Sequence, residues 1–166
     1  MIRYAISTKS ISRCDMVNSA SISKVWELLE NIPDPEIPEI SIVELGVVRS
    51  VDMESNSINI TITPTYSGCP ALSFMKDEIV RHLEIDGYTD YKIITSISPP
   101  WTTDWMTDEV KAKLKNAGIS PPSKQPICPL CDSENNEVIS EFGSTACKAL
   151  YKCIECSEIF HHFKKI

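Results

Sequence analysis

A chain of 166 residues, 42% hydrophobic and 23% charged, has material for one ordinary domain, or for one domain and a small module. Its 16 basic and 23 acidic side chains leave a net charge of -7, which argues against a general nucleic-acid or anionic-membrane binder, because both present basic surfaces. No apolar run reaches membrane-spanning length, and residues 1–22 lack the continuous apolar stretch of a secretory signal, so a cytoplasmic protein is expected, with a mobile N-terminal extension over residues 1–21.

Ser23 to Asn31 reads as the first helix, with Val25, Leu28 and Leu29 on one side, Ser21 or Ser23 as its cap and Pro33 as its stop. Ile32 to Ile40 then holds three prolines and three carboxylates, a stiff acidic loop whose prolines restrict Asp34 and Glu36. Such a loop is a solvated turn, or it aims its carboxylates at a cation or partner. Ser41 to Leu45, including Glu44, leads through Gly46 into a strand over Val47 to Met53. A turn at Glu54-Ser55-Asn56 sends the chain back along Ser57 to Thr63, where Ile58, Ile60 and Ile62 alternate with polar residues as in a half-buried strand.

Pro64 ends that strand just after Thr63, and Pro70 stands where a first helical residue belongs. Leu72, Met75, Ile79 and Leu83 share one face of the helix that follows, which places Cys69 at its N-cap. A thiol there meets unpaired N–H groups and the positive pole of the helix dipole, which favour thiolate. Cys69 is therefore a reactive or metal-holding sulfur, or else a small buried corner residue, since free cysteines are commonly inert. Tyr91, Ile93, Thr95 and Ile97 alternate as a third strand. Trp101, Asp104 and Trp105 lie on a loop beyond it, as a docking surface or as plugs for the edge of the core. Thr107 caps a last helix, with Val110 and Leu114 inward and Gly118 after its end. The order α-β-β-α-β-α predicts an open α/β domain.

A proline-rich spacer over residues 119–126 separates this domain, residues 22–118, from a module over 127–166. Cys128-Pro129-Leu130-Cys131 and Cys153-Ile154-Glu155-Cys156 bring four thiolates to one tetrahedral ion, and the filled set makes a structural Zn²⁺ the expected occupant, although iron suits the same sulfurs. So short a module cannot bury enough apolar surface alone, and the metal should supply its stability. Cys147, the odd cysteine, reads as a buried thiol beside the filled site. His161 and His162 point to opposite faces of a final strand.

Three motifs in order, Asp34-Pro35-Glu36-Ile37-Pro38, Ser41 to Val48 and Thr63 to Pro70, resemble the MIP18 family, whose members assist iron–sulfur protein maturation. Ser98 to Met106, Gly118 to Pro122 and Phe142 to Leu150 further resemble the D subunits of phenylacetyl-CoA epoxidase systems, in which a zinc ribbon follows the MIP18-like domain. The resemblance implies a reactive thiol at Cys69 and an acidic motif at Asp34 and Glu36, with Glu44 and Thr63 nearby; Glu44 stands where the family usually has Asp. It also implies transient iron or iron–sulfur cargo, oxygenase and reductase subunits or other iron–sulfur clients as partners, and an accessory role without catalysis of its own. A homodimer is compatible with it. A purely structural docking subunit and a general iron–sulfur assembly factor are the competing readings. No histidine motif accompanies Cys69, as a cysteine nucleophile would need.

Overall fold

The isoleucine strand lies at the centre of a three-stranded sheet. A computed structural model describes residues 13–54 and 57–166. In it β3 (Val48–Glu54) and β4 (Ser57–Ile62) are antiparallel, with Val51 opposite Ile60 and Met53 opposite Ile58. The hairpin turn expected at 54–56 falls partly on residues 55 and 56, outside the described residues. From β4 the chain crosses through α2 (Ala71–Ile85) to β5 (Tyr91–Thr95), which lies parallel to β4 with Ile60 opposite Ile93. Ile58, Ile60 and Ile62 point into the core beneath Met75, Ile79 and Leu83 of α2, as their period-2 and helical spacings require. Ile60 is fully enclosed, so Ile60→Ala should cost about 3 kcal/mol. A lower urea midpoint with unchanged slope is the expected reading.

The first helix, α1 (Arg13–Glu30), begins well upstream of Ser23 and takes in the end of the segment expected as a mobile extension. No glycine or proline interrupts residues 13–32, so nothing in the backbone chemistry stops the helix from extending back. Residues 1–12 lie outside the described residues. The stiff acidic loop is also more ordered than expected: β1 (Pro33–Asp34) pairs with β2 (Ile37–Ser41) as a small antiparallel hairpin, with Asp34 opposite Ile37. Gly46 closes the next turn at φ +76°, a conformation costly for any residue with a Cβ.

After β5, α3 (Asp108–Asn116) starts at Thr107, whose hydroxyl accepts from the Val110 amide at 3.3 Å. The spacer expected at 119–126 is not simply a linker. Its first residues form β6 (Ile119–Ser120), which pairs in parallel with β9 (Ile159–Phe163) at the edge of the ribbon sheet. That sheet runs β6-β9-β8-β7, with β7 at Asn136–Ser140 and β8 at Lys148–Cys153. Backbone pairing thus carries the α/β domain directly into the ribbon. Phe163 and Cys147 belong to the main core, whereas Cys128, Cys153 and Phe160 make a second, small one with Tyr151 packed on it.

Candidate functional site

Two sites emerge, one in the ribbon and one where the ribbon meets the α/β domain. In the ribbon, Cys128, Cys131, Cys153 and Cys156 place their sulfurs within 4.8 Å of one another. Two of the separations are 3.7 Å (Cys128 to Cys156) and 3.6 Å (Cys131 to Cys153). A tetrahedron built on Zn–S bonds of about 2.3 Å has edges of about 3.8 Å, so the donor set fits such an ion.

The two knuckles are built alike. Asp132 and Ser157, each following the second cysteine of its pair, take φ values of 60° and 64°. The Asp132 and Ser157 amides donate back to the carbonyls of Cys128 and Cys153, both at 3.0 Å. Two non-glycine residues in that region cost about 1 kcal/mol or more each, a strain that an ion at the centre can offset. The Cys156 amide and the Cys131 thiol together push Cys153 down to about 7. Although the Ser133 amide favours its thiolate, Cys131 is pushed up to about 12 by hydrogen bonds with Cys156, Cys153 and Cys128 and by desolvation. A central dication is what allows all four to ionise together. The ribbon is a metal-binding module, and Zn²⁺ is the ion its four sulfurs suit best.

The second site is the seam. Asp34, Glu36, Thr65, Tyr66 and Cys69 from the α/β domain face Thr145, Cys147 and Lys148 from the ribbon around a cavity of about 20 Å³, room for a water molecule or an ion. Cys69 lies one residue before Pro70, which is the residue that caps α2, so the N-cap expected at Cys69 moves along by one. The expected thiolate bias is also reversed. Burial raises the Cys69 thiol above its ordinary range, and although the Ala71 and Leu72 amides pull the other way, nearby Cys147 and Asp34 add to the rise. The helix start offers what the sequence implied, but desolvation wins.

Asp34 is buried, and its Oδ1 accepts from the amides of Glu36 at 2.9 Å and Ile37 at 3.0 Å. Burial nonetheless raises its carboxyl, against those two amides and Lys148. A raised folded-state value means that the folded chain holds the proton more tightly than the unfolded one. Asp34 therefore favours the fold below the ordinary carboxylate range, and that contribution fades as pH rises through its folded value. Asp34→Asn keeps an acceptor for both amides and removes the charge. Urea midpoints of the zinc-loaded proteins should show the variant gaining more on the wild type at pH 7 than at pH 5, where the ribbon still holds its ion, and an equal difference at both pH values would refute the burial argument.

Glu36 reaches across the seam. Its Oε2 accepts from Lys148 Nζ at 3.2 Å and from Ser144 Oγ at 3.1 Å, and the lysine side chain is only 4% exposed. Gly143 makes the approach of this loop possible, since a Cβ there would stand 2.6 Å from His161 Cδ2. Thr145 Oγ1 lies 3.1 Å from Cys147 Sγ. Cys147 is thus buried at the seam with Cys69, and not beside the ribbon's metal-binding cysteines as the sequence suggested.

Glu44 and Thr63 do not join this cavity. Glu44 Oε2 accepts from the Ser41 amide at 3.0 Å and Oε1 from Lys113 Nζ at 2.5 Å, clipping the turn before Gly46 to α3. Partial desolvation works against its charge, yet Lys113 and Ser41 hold the carboxyl below its usual range. Thr63 is buried, its amide donating to the Val47 carbonyl at 2.8 Å, and it lines an adjoining groove with Trp101 and Ile166 that shares Tyr66 with the cavity. The loop after β5 divides between its two readings. Trp101 turns inward, donating Nε1–H to the Leu45 carbonyl at 3.0 Å and packing 5.8 Å from the Phe163 ring, so it plugs the core. Asp104 is exposed, and the half-buried Trp105 carries Arg49 3.5 Å from its ring centroid. Thr145 and Lys148 were missed as site residues, and the signal that could have found them was the Phe142 to Leu150 motif itself.

Known proteins match both parts. Residues 22–93 match the family described as iron-sulfur cluster assembly protein, and residues 115–164 match the PaaD zinc beta ribbon domain. The chain is 41% identical over 165 residues to an Escherichia coli (strain K12) protein named as the putative D subunit of 1,2-phenylacetyl-CoA epoxidase, covering 94% of this chain and 100% of the relative. It is 36% identical over 88 residues to the Fe-S protein maturation auxiliary factor YitW of Bacillus subtilis (strain 168), covering 52% of this chain and 85% of that protein. The crystal structure of a DUF59 domain from Bacillus anthracis superposes with a TM-score of 0.55 at 28% identity, over 60% of this chain and 95% of that one. With a full-length relative and both modules in the same order, the chain belongs to the PaaD-type family, an iron–sulfur cluster assembly domain carrying a PaaD zinc β-ribbon.

Proposed function

We propose that this chain is an accessory maturation subunit of a phenylacetyl-CoA epoxidase system, holding iron or sulfur transiently at the Cys69 seam for the oxygenase and reductase subunits that need it. The observation that carries this reading is the seam cavity itself. It has room for a single ion or small molecule, not for an acyl-CoA, and two thiols from two modules line it. None of its described lining residues is a histidine that could act as a base, and His82 sits in the last turn of α2, away from the Cys69 end. The names of its relatives, one an epoxidase component and others iron–sulfur maturation factors, support the same role. No described helix is long and apolar enough to cross a membrane.

A strain whose only copy carries Cys69→Ser tests the reading. It should make normal amounts of the oxygenase and reductase polypeptides, yet leave them short of metal or cluster and low in epoxidase activity. Full metal loading and full activity would defeat the carrier role and leave a structural docking subunit as the better account.

A further inference from the structure

Cys69 and Cys147 lie far apart in the chain, one before α2 and the other between β7 and β8, yet both line the seam cavity. Asp34 lines it too, fixed by two amide bonds that both end on Oδ1. The cavity's volume of about 20 Å³ suits one ion. Lys148, the cation already present, is matched by Glu36 at 3.2 Å, so the added charge of an ion would meet a neutralised pair and not a bare ammonium. Two sulfurs with one carboxylate oxygen favour Fe²⁺, Co²⁺ or Zn²⁺ over Mg²⁺ or Ca²⁺, which prefer all-oxygen shells. The ribbon quartet cannot be this site, because four thiolates complete their own tetrahedron.

We infer that Cys69 and Cys147 are paired thiolate ligands for a single thiophilic divalent cation at the seam, with the Asp34 carboxylate as the oxygen donor. The inference deepens the maturation reading and rests on it for the view of that cation as cargo. Among the described residues only the ribbon cysteines are already gathered to coordination distance. The three seam donors line one cavity but are not yet gathered as closely as the ribbon set, so binding must draw at least one of them inward. An ion held by ligands that must close on it is released more readily than one in a preformed cage, which is what delivery to a client requires. The ribbon is then part of the site and not an appendage, since it supplies one of the two sulfurs.

Anaerobic titration of the full-length protein with Co²⁺, its ribbon already loaded with one zinc, tests this directly through sulfur-to-cobalt charge-transfer absorption. The wild type should take one further equivalent, with zinc content unchanged. Cys69→Ser and Cys147→Ser should each weaken that binding by more than about tenfold, since removing a ligand exceeds the usual effect of removing an outer-shell partner. Absence of a second equivalent in the wild type, or its survival in Cys147→Ser, would overturn the pairing. A readout in the wild type alone guards against misfolded variants: bound Co²⁺ should slow alkylation of Cys69 and Cys147 together, and slowing of Cys69 alone would refute the inference. Failure here leaves the maturation reading to be judged by the Cys69→Ser strain, where metal loading of the client is measured without Co²⁺.

Discussion

Stripping the ribbon of its metal should unfold the β7–β8–β9 sheet and loosen the seam, while β3, β4, α2 and β5 stay folded. The module's own core is slight, three buried residues with Tyr151 against them, whereas Leu130, Val138, Ile139, Phe142 and Ile159 lie largely in solvent. So little buried surface cannot offset the entropy of ordering some 40 residues, whereas a structural Zn²⁺ on four thiolates contributes roughly 10 kcal/mol or more. The ribbon does not detach cleanly, however. Phe163 is part of the main core and packs on Trp101, and the Thr103 amide donates to the Ile166 carbonyl at 3.1 Å. Chelation should therefore red-shift tryptophan emission as Trp101 loses its cover, and speed hydrogen exchange at Leu150, Tyr151 and Phe160 while Ile60 and Ile79 stay protected. Retained protection in β8 and β9 after elemental analysis shows the metal gone would refute the view that the ion stabilises the module.

What could be read from the chain was whatever local spacing controls. Ile58, Ile60 and Ile62 alternate and are buried, the apolar residues of α2 recur at helical intervals, and the Thr107 cap and both knuckles are contiguous motifs. The seam was only half legible. Asp34, Glu36 and Cys69 stood out in their own motifs, but the partners that enclose them come from the far end of the chain, and no periodicity shows that Cys147 and Lys148 fold back over α2. Lys148 follows a cysteine and would ordinarily snorkel to water; its burial depends on Glu36, more than 100 residues earlier. Trp101 was open in the same way, between a docking surface and a plug for the core. Its polar neighbours fit either reading, and contacts with Phe163 and the Leu45 carbonyl, both distant in the chain, decide for the plug. The thiolate expected at Cys69 missed for an energetic reason, because a helix start offers amides whether or not the sulfur is buried, and sequence shows the amides but not the burial.

The most damaging loss of a charge at the seam should be Glu36→Ala. Among the described residues Lys148 Nζ has one carboxylate within ion-pair distance, that of Glu36, and with its side chain 4% exposed it cannot recover that partner as hydration. Removing one member of a buried pair leaves an uncompensated charge, commonly a loss of about 3–5 kcal/mol. Glu36 is itself 38% exposed, so solvent already screens part of the attraction and about 2 kcal/mol is the fairer expectation. Ser144 Oγ loses its acceptor in the same step, which weakens the loop bearing Cys147 where it crosses the α/β domain. Lys148→Met separates the two contributions, because it removes the buried charge, keeps most of the side chain's volume and leaves Glu36 free to meet water. Denaturant midpoints of the zinc-loaded proteins should thus fall further for Glu36→Ala than for Lys148→Met, and the double variant should recover part of the difference. If Glu36→Ala and Lys148→Met cost the same and their effects add, the ion pair is not what holds the ribbon against the Cys69 cavity, and the apolar contacts of Phe163 must hold it instead.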